Sequence, residues 1–147
     1  MPVALLDINI LMALAWPHHV HHRSADEWFA TNRSRGWATC SLTQLAFLRL
    51  STQPAVVKTA VTMADAQTIL AANLASPDHE FWPLDYPLTQ ILPEINQRIV
   101  GDHQLTDALL LDLAIRREGR LATFDTRIKS LLNMQSPHLA QIEVLSL

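Results

Sequence analysis

The sequence predicts an α/β fold with a mainly parallel central sheet. Short apolar runs suited to buried strands alternate with longer stretches of helical spacing, and this alternation is typical of parallel α/β proteins. The chain has 147 residues, of which 49% are hydrophobic, so it can bury a substantial core within one domain. No internal repeat, low-complexity segment or linker divides it. We therefore expect a single domain over residues 1–147.

Five short apolar runs are the predicted strands. They cover residues 3–6, 37–40, 80–84, 120–123 and 142–145. Pro83 weakens the prediction for the third run, because proline has no backbone N–H to donate to a neighbouring strand.

Six stretches have helical spacing and end at turn-forming or capping residues. They cover residues 9–15, 24–32, 41–50, 63–74, 87–100 and 107–118. The last is predicted to begin after Thr106 as N-cap and to end at Gly119 as C-cap. It is apolar almost all round, so we expect it deep in the fold, with Asp107 entering from the rim of the sheet.

Charge and cysteine content limit the classes of function. Only 17% of residues are charged and the net charge is -3, so there is no long-range basic field for nucleic acid. If the protein handles nucleic acid, the attraction is local or carried by metal ions. The single cysteine, Cys40, cannot form an internal disulfide, which fits a reducing compartment.

The apolar stretch at residues 3–16 resembles the core of a signal peptide only superficially. It has no basic leader, and Asp7 and Asn9 interrupt it, so we predict neither a signal peptide nor a membrane span. The expected location is the cytoplasm.

Three aspartates share one structural context. Asp7 ends the first strand, Asp107 begins the buried helix, and Asp125 follows the fourth strand. In a parallel α/β sheet, strand ends and the starts of the following helices lie along one edge, where such folds place their sites. We therefore expect these carboxylates to meet in one cleft.

Clustered carboxylates repel one another, and each raises the pKa of the others unless a cation lies among them. Mg²⁺ or Mn²⁺ suits such a site, because hard divalent ions prefer carboxylate and water oxygens and often bridge to phosphate. The chemistry that follows is metal-assisted hydrolysis of a phosphodiester by a metal-activated water. The pattern leaves open whether one ion or two take part.

Simpler explanations exist for single members of this set. Asp107 could be a favourable first-turn charge on a helix, and Asp125 could be the N-cap of a short final helix. Asp7 could instead be the nucleophile of a phosphohydrolase. Those enzymes usually have a second aspartate two residues on, where this chain has Asn9. The three equivalent positions together favour a metal site.

Four motifs in order resemble those of PIN-domain ribonucleases of the VapC toxin type. They are LLDIN at 5–9, TQLAFLRL at 43–50, LTDALL at 105–110 and LATFD at 121–125. The resemblance implies a three-layer α/β/α fold with a sheet of about five strands. It also implies Mg²⁺- or Mn²⁺-dependent endonucleolytic cleavage of RNA by the toxin of a type II toxin-antitoxin system. The implied partner is a small VapB-type antitoxin, and the implied oligomeric state is a homodimer.

The resemblance also assigns roles by position. Asp7 and Asp107 would bind the metal, and Asp125 would complete the acidic site directly or through water. Asn9 would orient the ligands, and the neighbouring hydroxyls would support them. These hydroxyls belong to Thr106 and Thr123.

Gln44 departs from the family pattern, which usually has glutamate at this place in the third helix. A glutamine amide can still hold a metal-bound water, so Gln44 remains a predicted site residue. It brings no negative charge and cannot act as a base. A catalytically weakened binding module of the same fold, interacting with RNA or protein, is therefore the alternative.

The run HHVHH at residues 18–22 suggests a zinc site at first sight. Pro17 just before it indicates a loop or a helix start, and no cysteine or acidic ligand follows until Asp26. We expect an exposed or capping loop, with contact of His19 or His22 to RNA as the alternative.

An apolar segment after the third helix is a candidate surface for a second subunit or an antitoxin. Val56, Val57, Val61 and Met63 lie in it, and they need not all belong to the core. Ordinary packing is the alternative.

Overall fold

The structure is a computed structural model, and it describes residues 2–147. Five parallel strands form one sheet in the order β3-β2-β1-β4-β5. The strands are β1 Ala4–Leu6, β2 Trp37–Thr39, β3 His79–Phe81, β4 Arg120–Thr123 and β5 Ile142–Val144. The predicted fold class is confirmed. The third strand ends earlier than predicted, before Trp82 and Pro83.

Seven α-helices accompany the strands within residues 2–147. They are α1 Ile8–Ala15, α2 His22–Asn32, α3 Ser41–Ser51, α4 Pro54–Val57, α5 Met63–Leu74, α6 Pro93–Asn96 and α7 Leu105–Arg116. The first four predicted helices are confirmed to within two residues at each end, as α1, α2, α3 and α5. None of the helices in this described range is long and apolar enough to cross a membrane.

Alternating residues of β1 belong to two separate hydrophobic clusters, one on each face of the sheet. Leu5 belongs to the cluster that contains the buried leucines of α7. Ala4 and Leu6 belong to the other, which contains residues of α1 and α3. Successive side chains of a strand point to opposite faces, so the two clusters are the two sides of the sheet. Helices therefore cover both faces, which confirms the three-layer α/β/α architecture.

The chain changes direction across the sheet between β1 and β4. From β1 it moves outward through β2 to β3, and it then returns to the opposite side of β1 as β4 and β5. Such a switch point leaves a crevice at the carboxyl ends of the two central strands. Asp7 follows β1 here, and its N–H donates to the Ala122 carbonyl of β4 at 2.9 Å.

The predicted helix over residues 87–100 is wrong. The segment contains a 3-10 turn at Leu88–Gln90 and the short helix α6 at Pro93–Asn96. Pro93 lacks an N–H and disfavours helical geometry at the preceding residue, so Leu92 adopts ψ 131°. The Leu92 N–H instead donates to the Asp112 carboxylate at 2.8 Å.

Thr106 is not the N-cap of α7. The helix begins one residue earlier, at Leu105, with Gln104 as its N-cap after a 3-10 turn. Thr106 therefore lies in the first turn, exposed to solvent. The Gln104 side chain accepts hydrogen bonds from the N–H groups of Val100 and Gly101, which holds the turn together.

Gly119 follows α7 for a reason other than the predicted cap. The left-handed residue is Glu118, with φ 55°, and the Gly119 N–H donates to the Ala114 carbonyl at 2.9 Å. A Cβ atom on Gly119 would lie 2.6 Å from both the Val3 carbonyl oxygen and Trp82 Cη2. The glycine is thus required by the close approach of α7 to the sheet.

Candidate active site

Asp7 is held at the crevice by neutral hydrogen-bond donors. Its backbone is extended, and as N-cap of α1 it accepts the Ile8 N–H at Oδ1 over 2.7 Å. Its Oδ2 accepts the Thr123 hydroxyl, also over 2.7 Å. The residue is only 3% exposed. Burial raises the pKa of the Asp7 carboxyl, and the negative charge of Asp125 raises it further. The hydrogen bonds from Thr123 and Ile8 lower this pKa and so offset part of the shift.

Thr123 and Asn9 join the ends of β1 and β4. The Thr123 oxygen accepts the Asn9 amide at 3.2 Å and the Asp125 N–H at 3.0 Å, in addition to donating to Asp7. The Asn9 carbonyl oxygen accepts the Phe124 N–H at 3.3 Å, and its amide lies 3.4 Å from Asp7 Oδ2. The Asp7 carboxylate is therefore oriented by Asn9, which follows β1, and by Thr123, which ends β4.

Asp107 lies half-buried on the first turn of α7. Burial raises the pKa of Asp107 to about 6, helped by the negative charges of Asp7 and Asp125 and opposed by Arg127. The structure thus brings the three aspartates close enough for their charges to interact. The N-terminal end of α7 and the carboxyl ends of β1 and β4 lie at the same edge of the sheet.

Asp125 is the N-cap of the 3-10 turn at Thr126–Leu131, which is the simpler of the two roles that the sequence allowed for it. Its Oδ1 accepts the Arg127 N–H at 2.9 Å at the start of a 3-10 turn. The Arg127 guanidinium also donates to the carboxylate, with Nη2 2.9 Å from Oδ2, and holds the pKa of Asp125 below its usual range. While this pair persists, Asp125 can contribute to a metal site through water.

Arg127 was not identified from the sequence. The only sequence signal is its place two residues after Asp125 in the segment FDTR. Its side chain is 87% exposed, so it can turn from Asp125 toward a bound anion at little cost. An arginine beside a carboxylate cluster is suited to contact a phosphate.

Gln44 and Thr106 lie apart from this hydrogen-bonded group. The Gln44 amide nitrogen donates to Thr39 Oγ1 at 3.0 Å, and within residues 2–147 no hydrogen bond joins Gln44 to an aspartate. Thr106 is exposed and lines a mainly apolar groove with Leu42 and Leu109. Of the predicted residues, the structure brings together Asp7, Asn9, Asp107, Thr123 and Asp125.

The donor set fits a hard divalent cation that keeps part of its water shell. Neither Asp7 nor Asp107 forms a salt bridge within the described part of the chain. No three His, Cys, Asp or Glu side chains of residues 2–147 form a ready-made cage for an ion. Mg²⁺ commonly takes one or two carboxylates and completes its coordination with water and substrate phosphate. Asp7 and Asp107 meet that requirement.

The histidine run packs beside this site without forming a zinc centre of its own. His22 begins α2 and its Nδ1 lies 2.7 Å from the Ala13 carbonyl oxygen. The ring of His21 lies 5.1 Å from the ring of Phe124, the residue before Asp125. The run is therefore a loop that leads into the start of α2, with His18 exposed and the other three histidines half-buried beside the end of β4.

Comparison with known proteins identifies the family. The family model of the PIN domain matches residues 4–131. This chain belongs to the PIN-domain family.

The VapC type of PIN domain is confirmed by two relatives from Mycobacterium tuberculosis. Ribonuclease VapC38 is 46% identical over 129 residues, covering 88% of this chain and 89% of the relative. Ribonuclease VapC39 is 41% identical over 125 residues, covering 85% of this chain and 90% of the relative.

A solved structure has the same PIN fold at low sequence identity. It is VapBC2 from Rickettsia felis bound to a DNA fragment from their promoter. The TM-score is 0.67 and the identity 18%, with 98% of this chain and 99% of that chain covered. The two chains therefore share the fold over nearly their whole lengths.

Proposed function

We propose that this PIN-domain protein is the toxin of a type II toxin-antitoxin system and cleaves RNA as a Mg²⁺- or Mn²⁺-dependent endoribonuclease. The observation that carries the proposal is the pair of carboxylates at the switch point, Asp7 and Asp107, neither of which forms a salt bridge within residues 2–147. The ribonuclease names of relatives at 46% and 41% identity support the reaction class.

The roles proposed for the residues follow from their contacts. Asp7 and Asp107 would hold a divalent ion, whose chemistry here would be to activate a water and to stabilise the leaving oxygen. Thr123 and the Ile8 N–H hold the Asp7 carboxylate in one orientation, so binding a cation requires little rearrangement there. Asp107 supplies the second carboxylate from α7. Arg127 leaves Asp125 to contact the RNA phosphate.

The proposed partners rest on separate observations. A VapB-type antitoxin is supported by the likeness of this fold to the VapBC2 structure. A homodimer is supported by the exposed apolar side chains of Val56 and Met63, whereas Val57 from the same segment is buried in the core.

The buried free thiol of Cys40 fits a cytoplasmic location. The relatives match over 89% and 90% of their own lengths, which supports a single PIN domain over residues 1–147.

The proposed activity is tested by replacing Asp7. Asp7→Asn removes a metal-binding charge while keeping the shape of the side chain, so cleavage with Mg²⁺ or Mn²⁺ should fall by on the order of a hundred-fold or more. Chelation of the metal should abolish cleavage by the unchanged protein. Asp85→Asn, at an exposed aspartate, is the control and should cleave normally. Equal cleavage by Asp7→Asn and the unchanged protein would refute the proposal.

A binding module with weakened catalysis is the second candidate, and Gln44 is the observation that favours it. The amide adds no negative charge to the site, so metal affinity can be lower than in relatives with glutamate. Calorimetry distinguishes the two candidates. The absence of Mg²⁺ and Mn²⁺ binding at millimolar ion, together with a gain of cleavage in Gln44→Glu, would favour the binding module.

A further inference from the structure

We propose that His79 and Thr39 form a hydrogen-bonded relay that positions the Gln44 amide for RNA cleavage. The inference rests on the proposed function and deepens it, because it assigns a task to Gln44, which stands where the family pattern usually has a glutamate. His79 and Thr39 are positioning residues here and do not touch the substrate.

The relay joins β2, α3 and β3 at the outer half of the sheet. Thr39 is the last residue of β2, and its side chain is completely buried. Its Oγ1 lies 3.0 Å from Gln44 Nε2 on α3 and 2.8 Å from His79 Nε2 on β3. The His79 ring is fixed in turn by the Trp37 ring, 4.7 Å away between centroids. Since Thr39 is buried, water cannot replace either partner without cost.

The donors and acceptors fix the direction of the relay. A threonine hydroxyl has one hydrogen to donate, and here its oxygen accepts from the Gln44 amide. The oxygen could accept from His79 as well, but its own buried hydrogen would then lack an acceptor, so we expect Thr39 to donate to Nε2 of a neutral imidazole that carries its proton on Nδ1. Burial lowers the pKa of His79, and the Leu74 carbonyl and Glu80 oppose that shift. Burial thus favours the neutral ring that the relay requires.

The consequence concerns the free end of Gln44. With its nitrogen committed to Thr39, the amide offers its carbonyl oxygen as the remaining polar atom. An amide rotated by half a turn would offer an NH₂ group instead, which repels a metal ion and cannot accept from a metal-bound water. Gln44 lies on the first turn of α3, which begins directly after β2 at the carboxyl edge that also carries Asp7. The relay therefore orients the neutral Gln44 side chain so that its carbonyl oxygen is presented as a hydrogen-bond acceptor.

The first test needs no activity. In ¹⁵N NMR spectra of the full chain, the Gln44 side-chain amide is assigned by its loss in Gln44→Ala. It should show slowed hydrogen exchange, and His79 should show the Nδ1–H tautomer. Thr39→Val and His79→Phe should both shift the amide to the position of a free glutamine. His79→Phe keeps a ring against Trp37, so packing is preserved. A freely exchanging Gln44 amide, or an Nε2–H tautomer, in the unchanged protein would overturn the relay.

The second test is a double-mutant cycle on RNA cleavage. Thr39→Val should lower the cleavage rate at saturating RNA by about five- to ten-fold, the effect of one oriented hydrogen bond. Thr39→Ser should restore it. Thr31→Val removes a hydroxyl that bonds only within the exposed face of α2, and it should have no effect.

In the Gln44→Ala background, Thr39→Val should cause no further loss of cleavage. An equal loss in that background, or full activity of Gln44→Ala, would overturn the inference while leaving the endoribonuclease proposal intact. If the unchanged protein does not cleave RNA, the proposed function fails, and the NMR measurement alone decides whether the relay exists.

Discussion

Asp7 and Asp112 are both buried aspartates, and the charge of their partners gives them different roles. Asp112 is completely buried and pairs with Arg116, whose Nε lies 2.6 Å from its Oδ2. Within residues 2–147, Asp7 receives hydrogen bonds only from neutral groups, so its negative charge is oriented but not balanced. Asp112 and Arg116 are four residues apart and so lie on one face of the helix. Burial alone therefore does not distinguish the two, and our prediction of a catalytic role for Asp7 rests on its burial without a cationic partner within residues 2–147.

Asp107 is the residue whose protonation should control the stability of the metal-free protein. Its pKa of about 6 lies above the ordinary value of 3.8, so the folded state holds this proton more tightly than the unfolded state between these values. Its contribution to the free energy of unfolding is therefore present at about pH 4 and is lost as the pH rises through about 6. Asp107→Asn should then stabilise the metal-free protein near neutral pH and lose this advantage toward about pH 4.

Urea unfolding in the presence of a chelator measures this difference. With saturating Mg²⁺ the order should reverse near neutral pH, because only the unchanged protein gains stability from bound metal. A difference between the two proteins that does not vary with pH would show that the charge of Asp107 is not the cause.

At the scale of elements, α7 links the active site to the region that was predicted as a helix over residues 87–100. Its first turn carries Asp107, while Asp112 on its buried side accepts the Leu92 N–H just before α6. Arg116 also donates to the Gln90 carbonyl and lies over the Tyr86 ring, with Cζ 3.9 Å from the centroid. The helix thus organises the irregular segment through one buried ion pair.

Asp112→Ala should destabilise the protein without affecting the chemistry. The change leaves the Leu92 N–H and part of the Arg116 guanidinium without a partner, which should lower the free energy of unfolding by about 3 kcal/mol. Denaturant unfolding measures the loss, and cleavage per folded molecule should be unchanged. Glu27→Ala breaks the exposed pair with Arg23 and serves as the control, with little change expected. A similar loss in both variants would contradict the role assigned to the buried pair.

The close approach of α7 to the sheet at Gly119 leads to a second prediction at this scale. Gly119→Ala should be destabilising by about 1–3 kcal/mol, because its Cβ would collide with the Val3 carbonyl and the Trp82 ring. Gly101→Ala is the matched control, since nothing lies within 4 Å of its Cβ position. Thermal unfolding of both variants checks the difference. Equal melting temperatures would mean that the helix can shift away from the sheet without cost.

At the scale of the whole molecule, the charge balance limits how RNA is held. The net charge is -3 and the site itself contains three aspartates, so the protein lacks the basic surface that dominates nonspecific nucleic-acid binding. We expect bridging through a divalent cation, with Arg127 as a nearby basic side chain, to provide the local attraction. RNA binding should therefore depend on metal more than on ionic strength.

Titrations of RNA with the cleavage-deficient Asp7→Asn variant and the unchanged protein in Ca²⁺ test this expectation. The unchanged protein should bind RNA more tightly with the ion than with chelator, and the variant should show a smaller gain. The affinity should fall only gradually with added monovalent salt. Steep salt dependence without any metal requirement would contradict this account.

The sequence predicted most of the fold because the relevant signals are local. The alternation of short apolar runs with helical spacing locates the five strands and five of the six predicted helices, and Asp7, Asp107 and Asp125 fall at strand and helix ends. The failures also have local causes. Pro93 divides a stretch whose apolar spacing resembles a helix, and α7 begins before Thr106 because Gln104 closes the preceding turn.

By itself, the sequence determined the α/β class, the family motifs and the edge of the sheet to which the acidic residues belong, since chain order and hydrophobic spacing are sufficient for these. Only the tertiary structure decided which groups these residues meet. The bond between Thr123 and Asp7 joins residues that are 116 positions apart, and the contact of Thr39 with His79 spans 40 positions. Such contacts depend on strand order and register to within a fraction of an ångström, which residue types and spacing do not specify.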